Sequence, residues 1–227
     1  MSSTESSKKG GLLPVNRIES LTDGVFAIAM TLLVLELSIP VIAGSPVNTE
    51  LSSKLFELWP KLLVYMLSFV ILGMMWVHHR LMFHYIERSD GKLAWMNIIF
   101  LMFVALVPFA ASLLGEYSNS QIAVLVYGIV ALLIIIMSLV VWIYITRIDE
   151  LADRVIETEI AIRRKILYLV GCFFFILAIG ISFISPTISL CIYGLTALLT
   201  IIISWRDSHG FLSLLFVRML EKRKKKL

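Results

Sequence analysis

The chain has 227 residues, of which 59% are hydrophobic and only 16% charged, with a mean hydropathy of +0.92. A soluble domain averages about 25% charged residues; here the apolar residues also come in long runs, so the composition excludes a soluble globular domain and predicts a polytopic membrane protein. Both cysteines, Cys172 and Cys191, lie inside apolar segments, which leaves no disulfide framework or zinc spacing.

Residues 1–15, MSSTESSKKGGLLPV, are polar and rich in Gly and Ser, and are expected to form a mobile tail before a transmembrane unit over 16–205. The first apolar segment does not read as a cleaved signal peptide, because Glu19 and Asp23 sit where a secretory signal carries basic and apolar residues. A first helix is predicted over Arg17–Leu37, ending before Pro40, which cannot continue it. Two prolines and a glycine in 40–54 predict a loop, and a second helix follows over Leu55–Phe83. The charged turn Glu87–Lys92 leads to a third helix, Leu93–Leu114, which Pro108 should kink. A fourth helix is expected over Gln121–Thr146, then a solvated, densely charged connector over Arg147–Lys165 that could itself be helical. A fifth helix, Ile166–Ile184, turns at Ser185-Pro186-Thr187 into a sixth, Ile188–Trp205, and 206–227 reads as a basic C-terminal helix or tail.

With six spans, eighteen of the twenty Lys and Arg residues fall in the even-numbered loops and the two ends. Cytoplasmic loops carry the basic excess, so both termini are expected in the cytoplasm of a cell-membrane protein. The basic run Lys222–Lys226 then sits beside an anionic leaflet as a topology anchor.

The first helix is the unusual one. Gly24–Leu35 is too short to cross a bilayer core of about 30 Å, so the span takes in a flank carrying Arg17, Glu19 and Asp23. An acid at the edge of a membrane helix faces protein or a water-filled cavity. Gly24, Ile28, Thr31 and Leu35 step by helical spacing along one side, which reads as a pore wall in a homo-oligomer; ordinary helix packing would explain the apolar members equally. Arg17 and Asp23 are too far apart to pair along the helix. Partners at the same depth are Trp76, His79 and Asn97, which could clasp the carboxylate by hydrogen bonds or serve only as interfacial residues. The histidines His78, His79, His84 and His209 include a cluster at one helix end, too few for a membrane metal centre, and no cofactor is expected. No phosphate-binding loop, no nucleic-acid partner and no TVGYG potassium filter is indicated.

The run Arg17-Ile18-Glu19-Ser20-Leu21-Thr22-Asp23 resembles the Arg-x-x-x-Phe-Ser-Asp signature of the lysosomal-type potassium channel family, with Leu21 for Phe and Thr22 for Ser. Trp76-Val77-His78-His79, Phe83, Ile86, Arg88, Asp90, Asn97 and the LVPF stretch Leu106–Phe109 are similar to its second and third helices. The resemblance implies an all-α, six-helix membrane subunit in a homotetramer, with four copies of helix one around a pore that prefers potassium without a carbonyl filter. It implies an apolar constriction at Ile28, an ion-preference position at Thr31, and further narrow layers at Leu32 and Leu35. Arg17, Thr22, Asp23, Trp76, His79 and Asn97 would form the structural polar network. The expected function is a potassium-selective or weakly selective cation channel, not an enzyme, with potassium ions, the bilayer and other copies of the chain as partners. A secondary transporter is the rival; it would show two related halves, and helices one to three share no motif with four to six. An assembly subunit without transport would leave Asp23 unexplained.

Overall fold

A computed structural model describes residues 13–38, 47–86, 88–148 and 158–202. It is nearly all helical. Two residues of extended chain, β1 (Leu13–Pro14), lead into α1 (Val15–Leu35). Then come α2 (Val47–Glu57), α3 (Trp59–Phe83), β2 (Arg88–Ser89), α4 (Gly91–Ala105), α5 (Val107–Glu116), α6 (Gln121–Arg147) and α7 (Thr158–Ser182). A shorter apolar helix, α8 (Pro186–Ile202), follows. Among the described residues, five segments are long and apolar enough to cross a bilayer: α1, α3, α4 with α5, α6, and α7.

Proline sets three of the boundaries. Pro14 adopts the extended conformation before α1, which therefore opens at Val15, two residues earlier than predicted. Pro60 occupies the first turn of α3, where its missing N–H is not needed. The predicted second helix is thus divided at Leu58, and part of the expected 40–54 loop is helical: α2 begins right after Pro46. Pro108 has no N–H for the carbonyl of Val104, so the predicted third helix is broken at Leu106 between α4 and α5.

β1 pairs antiparallel with β2, Leu13 opposite Ser89, which ties the chain entering α1 to the turn between α3 and α4. Residues 13–15, expected in the mobile tail, are therefore part of the fold, and Val15 is buried. α1 packs on α3, α4 and α5; α6 packs on α4, α5 and, most extensively, α7. The charged segment before residue 166 is helical from Thr158, with the Arg164 guanidinium 5.3 Å from the ring centres of both Tyr85 and Trp142. The Phe175 ring stacks on Tyr193 of α8 at 5.2 Å, and Tyr193 donates its hydroxyl proton to the Val124 carbonyl at 3.2 Å. That approach requires Gly128, because a Cβ there would lie 2.0 Å from the Tyr193 hydroxyl. The basic tail and the end of the predicted sixth helix lie outside the described residues.

Candidate functional site

α1 has two faces. Val15, Ile18, Thr22, Phe26, Ala29 and Leu33 recur at steps of three and four and are buried against α3, α4 and α5. Leaving apolar surface in water is unfavourable at roughly 25 cal/mol per Å², yet the opposite face stays uncovered by the subunit. Ile28 is 62% exposed, Leu32 41% and Leu35 72%. Gly24 and Thr31 are exposed on the same side. Thr31 donates its hydroxyl proton to its own helix, 2.9 Å from both the Ala27 and Ile28 carbonyls. Its oxygen lone pairs are left to accept from, or coordinate, whatever meets this face.

The N-terminal half of α1 is held by side chains from two other helices. The Trp76 indole Nε1–H of α3 donates to Asp23 Oδ1 at 2.7 Å, and the Arg80 guanidinium lies over the Trp76 ring at 5.6 Å. A second chain of bonds runs alongside it. Thr22 gives its proton to the Ile18 carbonyl at 2.9 Å, so its oxygen must accept the Asn97 Nδ2–H at 3.1 Å. The Asn97 oxygen then points to His79 Nε2 at 2.8 Å, and that nitrogen must carry the proton. One fixed hydroxyl at the end of the chain thereby sets both the amide orientation and the imidazole tautomer. Phe83 and Phe100 stack on the two faces of the His79 ring, at 4.2 and 5.2 Å, and hold its plane.

The six expected network residues therefore divide. Asp23 meets Trp76, while Thr22, Asn97 and His79 form a separate buried chain. Arg17 is exposed, and no hydrogen bond or ion pair to it is made among the described residues. Of the two adjacent histidines, His79 joins the chain. His78 turns to α7, edge-on to Tyr168 with ring centres 6.4 Å apart.

Four further contacts escaped the sequence reading. Glu36, just past the C-terminal end of α1, accepts from Ser112 of α5 at 2.5 Å. Lys61 of α3 pairs with Glu116 of α5 beside it. Asp90 caps α4, accepting the Leu93 N–H at 2.8 Å, and takes the Tyr144 hydroxyl of α6 at 2.5 Å. Only the Asp90 cap had a local signal, an acid three residues before the first apolar residue of a helix.

The chain is a helical membrane bundle, a polytopic membrane protein, whose first helix is buried on one face, exposed on the other and held by polar side chains towards both ends. The sequence profile of the endosomal/lysosomal potassium channel TMEM175 matches residues 17–108. A potassium channel of Streptomyces collinus is 34% identical over 186 residues, an alignment covering 80% of this chain and 89% of that one. A potassium channel of Chamaesiphon minutus is 37% identical over 179 residues, covering 76% and 86%. The crystal structure of a lysosomal potassium-selective channel TMEM175 homolog from Chamaesiphon minutus superposes with a TM-score of 0.74 at 32% identity, covering 84% of this chain and 97% of that one. The chain belongs to the TMEM175 family of potassium channels.

Proposed function

We propose that the chain forms a homotetrameric cation channel, potassium-selective or weakly selective, with four copies of α1 around the axis. The exposed apolar stripe Ile28–Leu32–Leu35 on a helix whose other face is buried carries this reading. Similarity over most of the chain to proteins described as potassium channels supports it. Four copies of Ile28 offer no atom that coordinates a cation, so such a ring controls flow by diameter and dewetting rather than by replacing the hydration shell. Four Thr31 hydroxyls, their protons committed to the helix, offer oxygens to a partly hydrated ion one turn further out. The network around Asp23, Trp76, Thr22, Asn97 and His79 holds α1 in the rotation that aims this stripe at the axis. The setting is the cell membrane, with both termini cytoplasmic, residues 16–205 as the transmembrane unit and 206–227 as a basic cytoplasmic tail. The partners are potassium ions, lipid and three further copies; the reading calls for no catalysis and no cofactor.

Flux of potassium, sodium and protons into liposomes holding the purified protein tests it. Ile28→Asn makes the constriction wettable and is expected to raise cation flux severalfold while lowering the potassium-to-sodium ratio. Thr31→Ala should change the ratio with less effect on total flux. Unchanged flux and ratio in Ile28→Asn would mean that the conduction path does not follow this face.

A further inference from the structure

A cavity of about 120 Å³ lies between α3, α6, α7 and α8, on the side of α3 that faces away from α1. Helix interiors are close-packed, with few voids larger than a water molecule. This one is close in size to the apolar cavity of about 150 Å³ that binds benzene in an engineered protein. Its wall is mostly carbon, including Ile71, Ile135, Phe175 and Ala197, all buried. Val170 and Leu199 also line it and are 43% and 39% exposed, so its mouth opens on the outer, apolar surface of the bundle.

The few polar groups in the wall select the occupant. Ser138, Thr196 and Thr200 spend their protons on backbone carbonyls one turn back, at 2.9, 2.7 and 2.5 Å, and so present only lone pairs to a ligand. Tyr168 is different: it is 9% exposed, and its hydroxyl makes no hydrogen bond among the described residues. Buried polar groups are nearly always bonded. The wall therefore holds acceptors in want of a donor and a phenol hydroxyl with no hydrogen-bond partner among the described residues. A single hydroxyl on an apolar body serves both. We propose that this cavity binds a small membrane-soluble alcohol, aliphatic or aromatic, of roughly benzene size, entering from the bilayer between α7 and α8.

The test is photolabelling of the purified full-length protein in detergent with a short alkanol carrying a diazirine, followed by peptide mass spectrometry. Adducts are expected on Tyr168 or His78, reduced at least tenfold by excess unlabelled n-hexanol. Two filled variants, Ala197→Leu and Gly171→Val, should abolish them; a Cβ at Gly171 meets Ile135 at 3.7 Å, an ordinary contact, so the second remains available if the first does not fold. Tyr168→Phe should weaken competition by hexanol about fivefold, the value of one hydrogen bond, and leave competition by hexane unchanged. Adducts confined to outward-facing residues such as Phe173 and Ile184, or labelling that persists in both filled variants, would overturn the site. Neither readout depends on conduction, so failure here leaves the channel reading standing.

Discussion

In the front of the bundle, α1, α3, α4 and α5 are joined side chain to side chain: Asp23 with Trp76, Thr22 with Asn97, Asn97 with His79, Glu36 with Ser112, Lys61 with Glu116. In the rear, the hydroxyls of Ser138, Thr146 and Thr196 bond to carbonyls of their own helix, and Ser189 and Tyr193 reach only backbone carbonyls of neighbours. A hydroxyl satisfied by its own helix is satisfied wherever the next helix lies. A pair of side chains is satisfied only when two helices stand in one relative rotation. Polar side-chain pairs thus set the orientation of α1 in the front and tie α6 to it through Ser68–Tyr127 at 3.1 Å and Asp90–Tyr144, while α7 and α8 meet α6 through shape, the Arg164 ring contacts and bonds to backbone carbonyls.

The largest effect is expected where shape is tightest. Gly128→Ala places a methyl group 2.0 Å from the Tyr193 hydroxyl and 2.9 Å from Ile179 Cγ1, and Tyr193 is fully buried. A loss of about 2–3 kcal/mol is expected from overpacking, read as denaturation midpoint in detergent, with part of it recovered in a Tyr193→Phe background. Asn97→Ala comes next. It orphans the His79 N–H and removes the bond that Thr22 accepts, while Thr22 keeps its own bond to Ile18; an orphaned buried group in water would cost about 1–3 kcal/mol. Bonds between membrane helices average only about 0.6 kcal/mol, so a total of about 1–2 kcal/mol is expected, accompanied by altered liposome flux. An Asn97→Ala protein that is destabilised yet conducts normally would show that the chain of bonds does not orient α1. Asp23→Ala should cost about 1 kcal/mol or less, because that bond is exposed, and Asp23→Asn, which keeps an acceptor, less still. Smallest is Thr146→Val in the rear, within about 0.5 kcal/mol of the parent. If it cost as much as Asn97→Ala, the contrast between the two regions would collapse.

The five apolar spans and the shorter apolar helix after them, the break at Pro108 and the buried and bare faces of α1 were legible because proline and helical periodicity act locally. Trp76, His79 and Asn97 could be nominated from depth alone, since antiparallel helices bring those positions to one level. Which residue would meet which depended on rotations about helix axes, and periodicity does not encode those; hence Asp23 took Trp76 and left Asn97 to Thr22. The α2 helix was hidden by Pro40, Gly44 and Pro46, all of which precede it. The first turns of α7 are exposed at Glu159, Arg163 and Lys165, as their charges suggest; what the charges did not reveal is that Arg164 turns onto the Tyr85 and Trp142 rings.

The interruption at Leu106 gives the third span the mechanics of a jointed beam. α1 is a strut fastened to both arms of it, through Thr22 and Asn97 to the α4 arm and through Glu36 and Ser112 to the α5 arm. A change of angle at the joint alters the distance between the two fastenings, and a helix of fixed rise cannot stretch to follow. Either the strut tilts, carrying Ile28 and Leu35 with it, or the weaker fastening slips. The buried amide chain is shielded from competing water and the Glu36 bond is exposed, so slippage begins at the Glu36 end.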